Sequence, residues 1–222
     1  MRRFLCEKLL PVGEMVVLSD ERSHHLLRVT GIAPGEEVEL FDGLGGACRA
    51  RLDGVEGGRA RLEVIQTVTA PPVGSNVHLV LAQTRASAMD TVIRMVVELG
   101  VEAITVVHTE RCVAKGDKHE RWTRIAEAAS AQSGRVSVPT IASPIPLSRA
   151  LMTLDGVRLV CTPGTVVRAH APGPVTILVG PEGGLTNNEV AQAQAAGWVR
   201  AGLGSTVLRA DTAAVAAVVR YG

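Results

Sequence analysis

The C-terminal third of the chain contains the segment Val175-Thr-Ile-Leu-Val-Gly-Pro-Glu-Gly-Gly-Leu-Thr-Asn-Asn-Glu-Val190. Its first five residues form an apolar, partly β-branched run that is typical of a strand buried on both faces, and a Gly-Pro pair ends that run. Thr186 and Glu189 have the spacing of a capping box, so we expect a helix that begins there and ends at Gly197. The segment therefore predicts a strand, a glycine-rich turn over residues 180–184 and a helix.

This turn has the position of a ligand-binding loop. In parallel α/β sheets, free N–H groups and the positive end of a helix dipole face the crevice at such strand-to-helix connections. The turn has neither the Gly-Lys-Ser/Thr ending of a phosphate-binding loop nor the Gly-x-Gly-x-x-Gly spacing of a dinucleotide turn, and a tight connection without a ligand would use the same glycines. A second transition of this kind, Leu203-Gly-Ser-Thr-Val-Leu-Arg-Ala-Asp-Thr-Ala-Ala214, favours a ligand site.

Both segments resemble motifs of the small-subunit ribosomal RNA methyltransferase E (RsmE) family, a group within the SPOUT (knotted) methyltransferases. The matching residues are Gly180-Pro-Glu-Gly-Gly184 and Leu203-Gly-x-x-x-Leu-Arg-x-Asp-Thr-Ala213. Further matches follow the family's order along nearly the whole chain: His24-His-Leu-Leu-Arg-Val29, Leu40-Phe-Asp-Gly43, Glu98-Leu-Gly-Val101, Thr109-Glu-Arg111, Glu120-Arg-Trp122 and Gln132-Ser-Gly-Arg135. The resemblance implies a cytoplasmic homodimer that uses S-adenosylmethionine (SAM) to methylate N3 of a uridine in 16S ribosomal RNA, free or in the small subunit.

The resemblance also implies which residues bind SAM. These are Thr162, Pro163, Gly180, Glu182, Gly183, Gly184, Leu203, Gly204, Val207 and Leu208. Small residues at Gly180, Gly183 and Gly204 would let the main chain approach the cofactor closely. Glu182 is also a candidate for fixing the cofactor loop.

Arg209 and Asp211 are the candidate catalytic residues. The Arg209 guanidinium is always charged and has several donors, which suits stabilisation of charge on the uracil oxygens. A structural salt bridge from Arg209 to Asp211 or Glu182 is the alternative. Asp211 is a candidate base, although an ordinary carboxylate is a weak one, and capping of the last helix is its alternative.

Four residues are candidates for RNA contacts. His25 and Arg28 lie on a helix predicted over residues 23–29, whereas Arg111 and Arg135 lie in family motifs. A solvated helix face would equally explain the first two, and salt bridges at the edge of the core would explain the other two. Trp122 is expected in the core rather than stacked on a base.

The strand pattern predicts an α/β protein with two domains. Residues 1–70 contain short, partly alternating strands, typical of a small β-barrel, and the resemblance implies a PUA-like, RNA-binding barrel. Residues 69–75 have the composition of a linker. Residues 74–222 alternate strands and helices, which predicts a mainly parallel sheet, and the resemblance adds a SPOUT domain with a trefoil knot.

Composition excludes several classes of protein. The 222 residues are 46% hydrophobic with a net charge of +1, so RNA binding would need a local basic patch. The four cysteines (Cys6, Cys48, Cys112 and Cys161) lack metal-ligand or redox spacing, which predicts reduced thiols and no metal. No apolar run has the length of a membrane span.

Some positions depart from the family's pattern. They are Arg94, Met95, Ala128, Ala131, Thr206 and Asp211. These departures keep a second hypothesis open, a non-catalytic RNA-binding or ribosome-assembly factor that retains the knotted fold. The Ala-rich helix predicted over residues 212–219 suits either a subunit contact or burial within one subunit.

Overall fold

The structure, a computed structural model, describes residues 1–69, 75–154, 156–165 and 173–222. The chain forms two compact units, of which the first contains Met1–Val73 and Ser130–Val138 and the second contains Gly74–Ala129 and Pro139–Gly222. The first unit is therefore discontinuous in sequence. The predicted linker lies almost entirely outside the described residues, and the division into domains 1–70 and 74–222 stays a prediction.

The first unit is built on a five-stranded mixed sheet. Its elements are β1 (Arg3–Leu5), β2 (Met15–Val17), α1 (Asp20–His24), β3 (Glu37–Phe41), β4 (Ala47–Glu56) and β5 (Arg59–Val68). The strand order is β1-β3-β4-β5-β2, in which β1 and β3 are parallel and the other pairs are antiparallel. Helix α1 continues directly into a π-helical turn, His25–Val29. The sequence predicted all of these strands except β1.

One face of this sheet carries the core. Along β4 the side chains alternate, so that Ala50 and Leu52 are buried while Arg49 and Arg51 are exposed. Ser23 is the fully buried residue of α1, and its hydroxyl donates to the Leu18 carbonyl at 3.1 Å and accepts from the Ala60 N–H at 2.9 Å. Ser23 thereby fixes the helix to β5.

The second unit is built on a parallel sheet. Its strands are β6 (Val77–Ala82), β7 (Ala103–His108), β8 (Thr140–Ile141), β9 (Ile145–Pro146), β10 (Val157–Cys161), β11 (Val175–Val179) and β12 (Val199–Ala201). In this unit the strand order is β12-β10-β11-β6-β7-β8, and β9 also pairs with β7. Its helices are α2 (Ala86–Glu98), α3 (His119–Ser133, whose last residues belong to the first unit), α4 (Leu147–Thr153), α5 (Asn187–Ala195) and α6 (Ala210–Tyr221).

Strand β11 is central to this sheet, and all five of its residues are buried, as its sequence predicted. Trp122 is 1% exposed, which confirms its place in the core. The sequence did not predict α4, β8 or β9. Part of the chain between β10 and β11 lies outside the described residues, and the trefoil knot stays a prediction. None of the described helices combines the length and the apolar character that crossing a membrane requires.

Candidate functional site

The second unit contains a cavity of about 360 Å³ at the carboxyl ends of its strands. Residues that follow β10, β11 and β12 line it, together with Arg111 from the loop after β7. Ligand pockets have volumes of about 300 to 1000 Å³, and this edge of a parallel sheet is their usual place. The cavity is therefore the candidate site.

All ten residues that the sequence predicted for SAM binding line this one cavity: Thr162, Pro163, Gly180, Glu182, Gly183, Gly184, Leu203, Gly204, Val207 and Leu208. Sequence reasoning missed the remaining lining residues, Cys161, Val179, Pro181, Leu185, Val190, Thr206, Ala210 and Ala213. Most of these lie next to a predicted residue in the chain, so adjacency was the available signal. The contacts of individual residues with a cofactor stay predictions.

Each of the three glycines in the turn is explained by a different structural constraint. Gly184 has a φ of 69°, which favours glycine. A Cβ on Gly180 would lie 3.1 Å from the main-chain nitrogen of Leu185, so the turn itself requires a small residue there. A Cβ on Gly183 would lie 3.1 Å from the Cβ of Arg111. Gly183 therefore makes room for Arg111, whereas the sequence had suggested close approach to the cofactor as its reason.

The helix that follows the turn begins with the predicted capping box. The Thr186 hydroxyl accepts from the Glu189 N–H at 3.2 Å, and the Glu189 carboxylate accepts from the Thr186 N–H at 2.8 Å. The second carboxylate oxygen of Glu189 accepts from the N–H of Glu110 at 2.8 Å. Since Glu110 follows β7, the cap also joins two loops of the site.

Two further hydrogen bonds hold the glycine-rich turn. The Glu182 carboxylate accepts from the N–H of Arg85, the N-cap residue of α2, at 3.3 Å. The Arg111 guanidinium donates to the carbonyl of Gly183 at 2.9 Å. The structure therefore gives Glu182 a bond that restrains the turn, which is the role that the sequence suggested beside cofactor binding.

Arg209 and Asp211 do not line the cavity, although Leu208 and Ala210 do. The Arg209 side chain is 83% exposed, and its Nε lies 3.4 Å from an Asp211 carboxylate oxygen. That carboxylate also accepts from the N–H of Thr212 at 2.8 Å, in the first turn of α6, where main-chain donors lack helical partners. The structure thus shows the salt bridge to Asp211 that the sequence suggested as the alternative role of Arg209. The N-cap residue of α6 is Arg209, so Asp211, two residues later, is not the capping residue. The catalytic roles of both residues stay predictions.

The four candidates for RNA contact have different environments. Arg111 lines the cavity, and His25 and Arg28 are exposed on the first unit, with the His25 ring edge-on to Phe4 at 5.7 Å. Arg135 is only 2% exposed, and its guanidinium donates to the Ser137 hydroxyl at 3.3 Å. The prediction that Arg135 contacts RNA therefore conflicts with the structure, because an RNA phosphate cannot reach a buried guanidinium.

The described residues of the cavity wall carry little charge. Burial raises the pKa of the Cys161 thiol to about 12, so this thiol is neutral at physiological pH. Among the lining residues that the structure describes, Arg111 and Glu182 are charged. Within the described ranges, no group of three or more His, Cys, Asp or Glu side chains could hold a metal ion.

Known protein families match segments in both units of the chain. Residues 71–221 match an RNA methyltransferase domain, and residues 18–65 match an RNA methyltransferase PUA domain. The ribosomal RNA small subunit methyltransferase E of Synechocystis is 32% identical, over 92% of this chain and 72% of that protein. The protein of the same name from Mycobacterium bovis is 29% identical, over 99% of this chain and 90% of that protein. The predicted PUA-like and methyltransferase domains are thereby confirmed.

Solved structures agree with this result. The ribosomal RNA small subunit methyltransferase E of Neisseria gonorrhoeae, bound to SAM, is 35% identical, with a TM-score of 0.91 over 99% of this chain and 95% of that one. A Legionella pneumophila protein in complex with SAM has 27% identity and the same TM-score, over 98% of this chain and 95% of that one. The chain therefore belongs to the RNA methyltransferase family whose members include ribosomal RNA small subunit methyltransferase E.

Proposed function

We propose that this protein is a SAM-dependent methyltransferase that transfers a methyl group to N3 of a uridine in 16S ribosomal RNA. The observation that carries the proposal is the meeting of three strand-to-loop connections, around Thr162, Glu182 and Thr206, at one cavity. The SAM-bound relative from Neisseria gonorrhoeae supports it through its similarity over nearly the full chain.

The residues around the cavity fit this cofactor. SAM combines an apolar surface with a sulfonium cation and an amino-acid carboxylate, and it needs walls of mixed character. Leu203, Val207 and Leu208 offer apolar surface, and Arg111 and Glu182 offer one charge of each sign. The neutral Cys161 thiol adds no charge that would favour or oppose the sulfonium.

When bound, SAM supplies an electrophilic methyl group, and the protein has to supply the alignment. The N3 of uracil must transfer its proton to a base, for which Asp211 is our candidate, before N3 attacks, and negative charge then develops on the uracil oxygens. Arg209 is suited to donate to those oxygens, because an exposed ion pair such as its contact with Asp211 contributes only about 0–1 kcal/mol. The guanidinium can exchange Asp211 for the RNA at little cost.

We further propose that the protein works as a cytoplasmic homodimer on free 16S rRNA or on the small ribosomal subunit. Two exposed apolar side chains support a subunit contact: Val207, in a loop of the cavity, at 79% exposure, and Val219, near the C-terminal end of α6, at 66% exposure. Arg28 and His25, exposed on the PUA unit, remain our candidates for RNA contacts in that part of the chain.

Calorimetric titration with SAM tests the proposal and separates it from the non-catalytic alternative. We expect micromolar binding, whereas a ribosome-assembly factor that lost its site would bind no SAM. Mass spectrometry of 16S rRNA from a deletion strain then tests the target. If the methyluridine signal remains in that strain, the assignment of the target is wrong.

Arg209→Ala tests the proposed charge stabilisation, and Arg220→Ala is its matched control. Both arginines are exposed, and they lie at opposite ends of α6. We expect Arg209→Ala to bind SAM almost normally and to lose most of its turnover. Arg220→Ala should change neither quantity, and an unchanged turnover in Arg209→Ala would remove Arg209 from the mechanism.

A further inference from the structure

Glu189 is a buried carboxylate that does not line the cavity, yet it contacts two of the loops that form it. It is 7% exposed, and its two oxygens accept from different N–H groups, Thr186 on one side and Glu110 on the other, both at 2.8 Å. Thr186 follows the glycine-rich turn, and Glu110 precedes Arg111. An ordinary capping box needs only the first of these bonds.

Arg111 completes the connection between the same two loops. Its guanidinium donates to the carbonyl of Gly183 at 2.9 Å, and its Cβ packs against the Gly183 main chain. The loop after β7 is therefore attached to the turn at two places, through Glu189 at the base and through Arg111 at the cavity wall. Displacement of Glu110 would displace its neighbour Arg111 as well.

We propose that Glu189 is a positioning residue for the cofactor cavity, which acts by holding Arg111 against the glycine-rich turn. This inference rests on the proposed function, since SAM is the ligand whose binding reports the position of the turn. Glu189 contacts neither SAM nor the RNA. It sets the distance between two walls of the cavity, and Arg111 is the side chain through which the effect reaches the ligand.

The chemistry of the carboxylate makes the inference testable. Two N–H donors on opposite oxygens require two acceptor atoms, and a glutamine amide has only one. Glu189→Gln therefore cannot keep both bonds, although it preserves the size and helical position of the side chain. Thr186→Ala is the matched control, because it removes the hydroxyl that accepts from the Glu189 N–H and leaves both carboxylate bonds in place.

The experiment measures SAM affinity by calorimetry and the melting temperature for the wild type and both variants. We expect both variants to melt at a lower temperature, since each loses a bond of the helix cap. We expect the Kd for SAM to rise about tenfold in Glu189→Gln, the loss that corresponds to one charge-assisted hydrogen bond, and less than twofold in Thr186→Ala. Equal losses of affinity in the two variants would mean that Glu189 only caps α5.

A double-mutant cycle with Arg111→Ala tests the route of the effect. Arg111 is exposed, so its truncation does not threaten folding. If Glu189 acts through Arg111, Glu189→Gln should change the Kd less than twofold in the Arg111→Ala background. A full tenfold change in that background would overturn the inference.

Hydrogen exchange provides a readout that needs no ligand. The N–H groups of Glu110 and Thr186 should be protected in the wild type, and at least one should exchange more than tenfold faster in Glu189→Gln. Unchanged exchange at both positions would overturn the inference while SAM binding by the wild type still supported the proposed function. Failure of the wild type to bind SAM would overturn the proposed function and this inference together.

Discussion

The substitution Gly183→Ala separates two explanations of the glycine-rich turn. An alanine Cβ at this position would lie 3.1 Å from the Cβ and 3.5 Å from the Cδ of Arg111. Carbon atoms in ordinary contact are about 3.5–4.0 Å apart, so at least about 0.4 Å of movement is needed. The Arg111 Cβ is fixed to its main chain, and the movement must therefore involve the loop or the turn. Gly183 is not among the glycines with positive φ, so the substitution adds no backbone strain.

The expected magnitude follows from this displacement. Overpacking of this kind costs about 1–3 kcal/mol when the neighbours cannot relax. Misplacement by about 1 Å at an active site can reduce rates about a hundredfold. For a displacement of about half that size we expect about a tenfold loss of SAM affinity, which corresponds to about 1.4 kcal/mol.

The assay is calorimetric titration of SAM into Gly183→Ala, with the same substitution in an Arg111→Gly background as the control. Arg111→Gly removes the colliding Cβ and Cδ, so Gly183→Ala should then change the Kd less than twofold, whatever Arg111→Gly does alone. A tenfold loss in both backgrounds would show that the new Cβ meets the ligand instead. Wild-type affinity in the single variant would refute the steric reasoning altogether.

Three further outcomes are expected. Tyr221→Phe removes the hydroxyl that donates to the carbonyl of Gly202, the residue just before a cavity loop, at 2.7 Å. This substitution should lower the free energy of unfolding, measured by urea titration, by about 1–3 kcal/mol. A change near zero would contradict the role of this bond. The Cys161 thiol, with its pKa raised by burial to about 12, should react with iodoacetamide at pH 8 much more slowly in the folded protein than in urea, and equal rates would contradict the raised pKa. Hydrogen bonds from the Ser143 side chain and from the His119 N–H lower the pKa of Asp117 from its ordinary value of 3.8 to about 2. The stabilisation from this carboxylate is therefore complete above pH 3.8 and is lost as the pH falls towards 2. Carboxyl NMR titration measures this pKa, and a value near 3.8 would contradict the contacts.

The parts of the fold that the sequence predicted well are those governed by local physics. Strand β11 has the predicted bounds, Val175–Val179, because a β-branched apolar run followed by Gly-Pro leaves few alternatives. The capping box at Thr186 and Glu189 is present for the same reason, since both partners lie within one turn of helix. The meeting of the loops at one cavity was also predictable, because the carboxyl ends of parallel strands share one edge of the sheet.

The features that sequence reasoning missed depend on residues distant in the chain. Arg135 was predicted to contact RNA because it lies in a family motif, yet segment 130–138 joins the first unit and Arg135 is buried there. The second bond of Glu189 goes to Glu110, 79 residues earlier, and no local pattern indicates it. The contact between Gly183 and Arg111 was missed likewise, because Arg111 belongs to another loop.

These distant contacts explain how a turn with three glycines among five residues can form a defined cavity. Each glycine adds about 0.5–1 kcal/mol of conformational entropy to the unfolded chain, relative to alanine, which opposes the ordering of the turn. Hydrogen bonds to charged groups contribute about 1.5–3 kcal/mol each when they are shielded from water, and less where a partner is exposed. Glu189 is buried, whereas Glu182 and Arg111 are exposed, so the bonds of Glu189 should contribute most to offsetting the glycines. Because these bonds lie outside the sheet core, their loss should loosen the cavity well before it unfolds the second unit, so ligand affinity is the more sensitive measure of their presence.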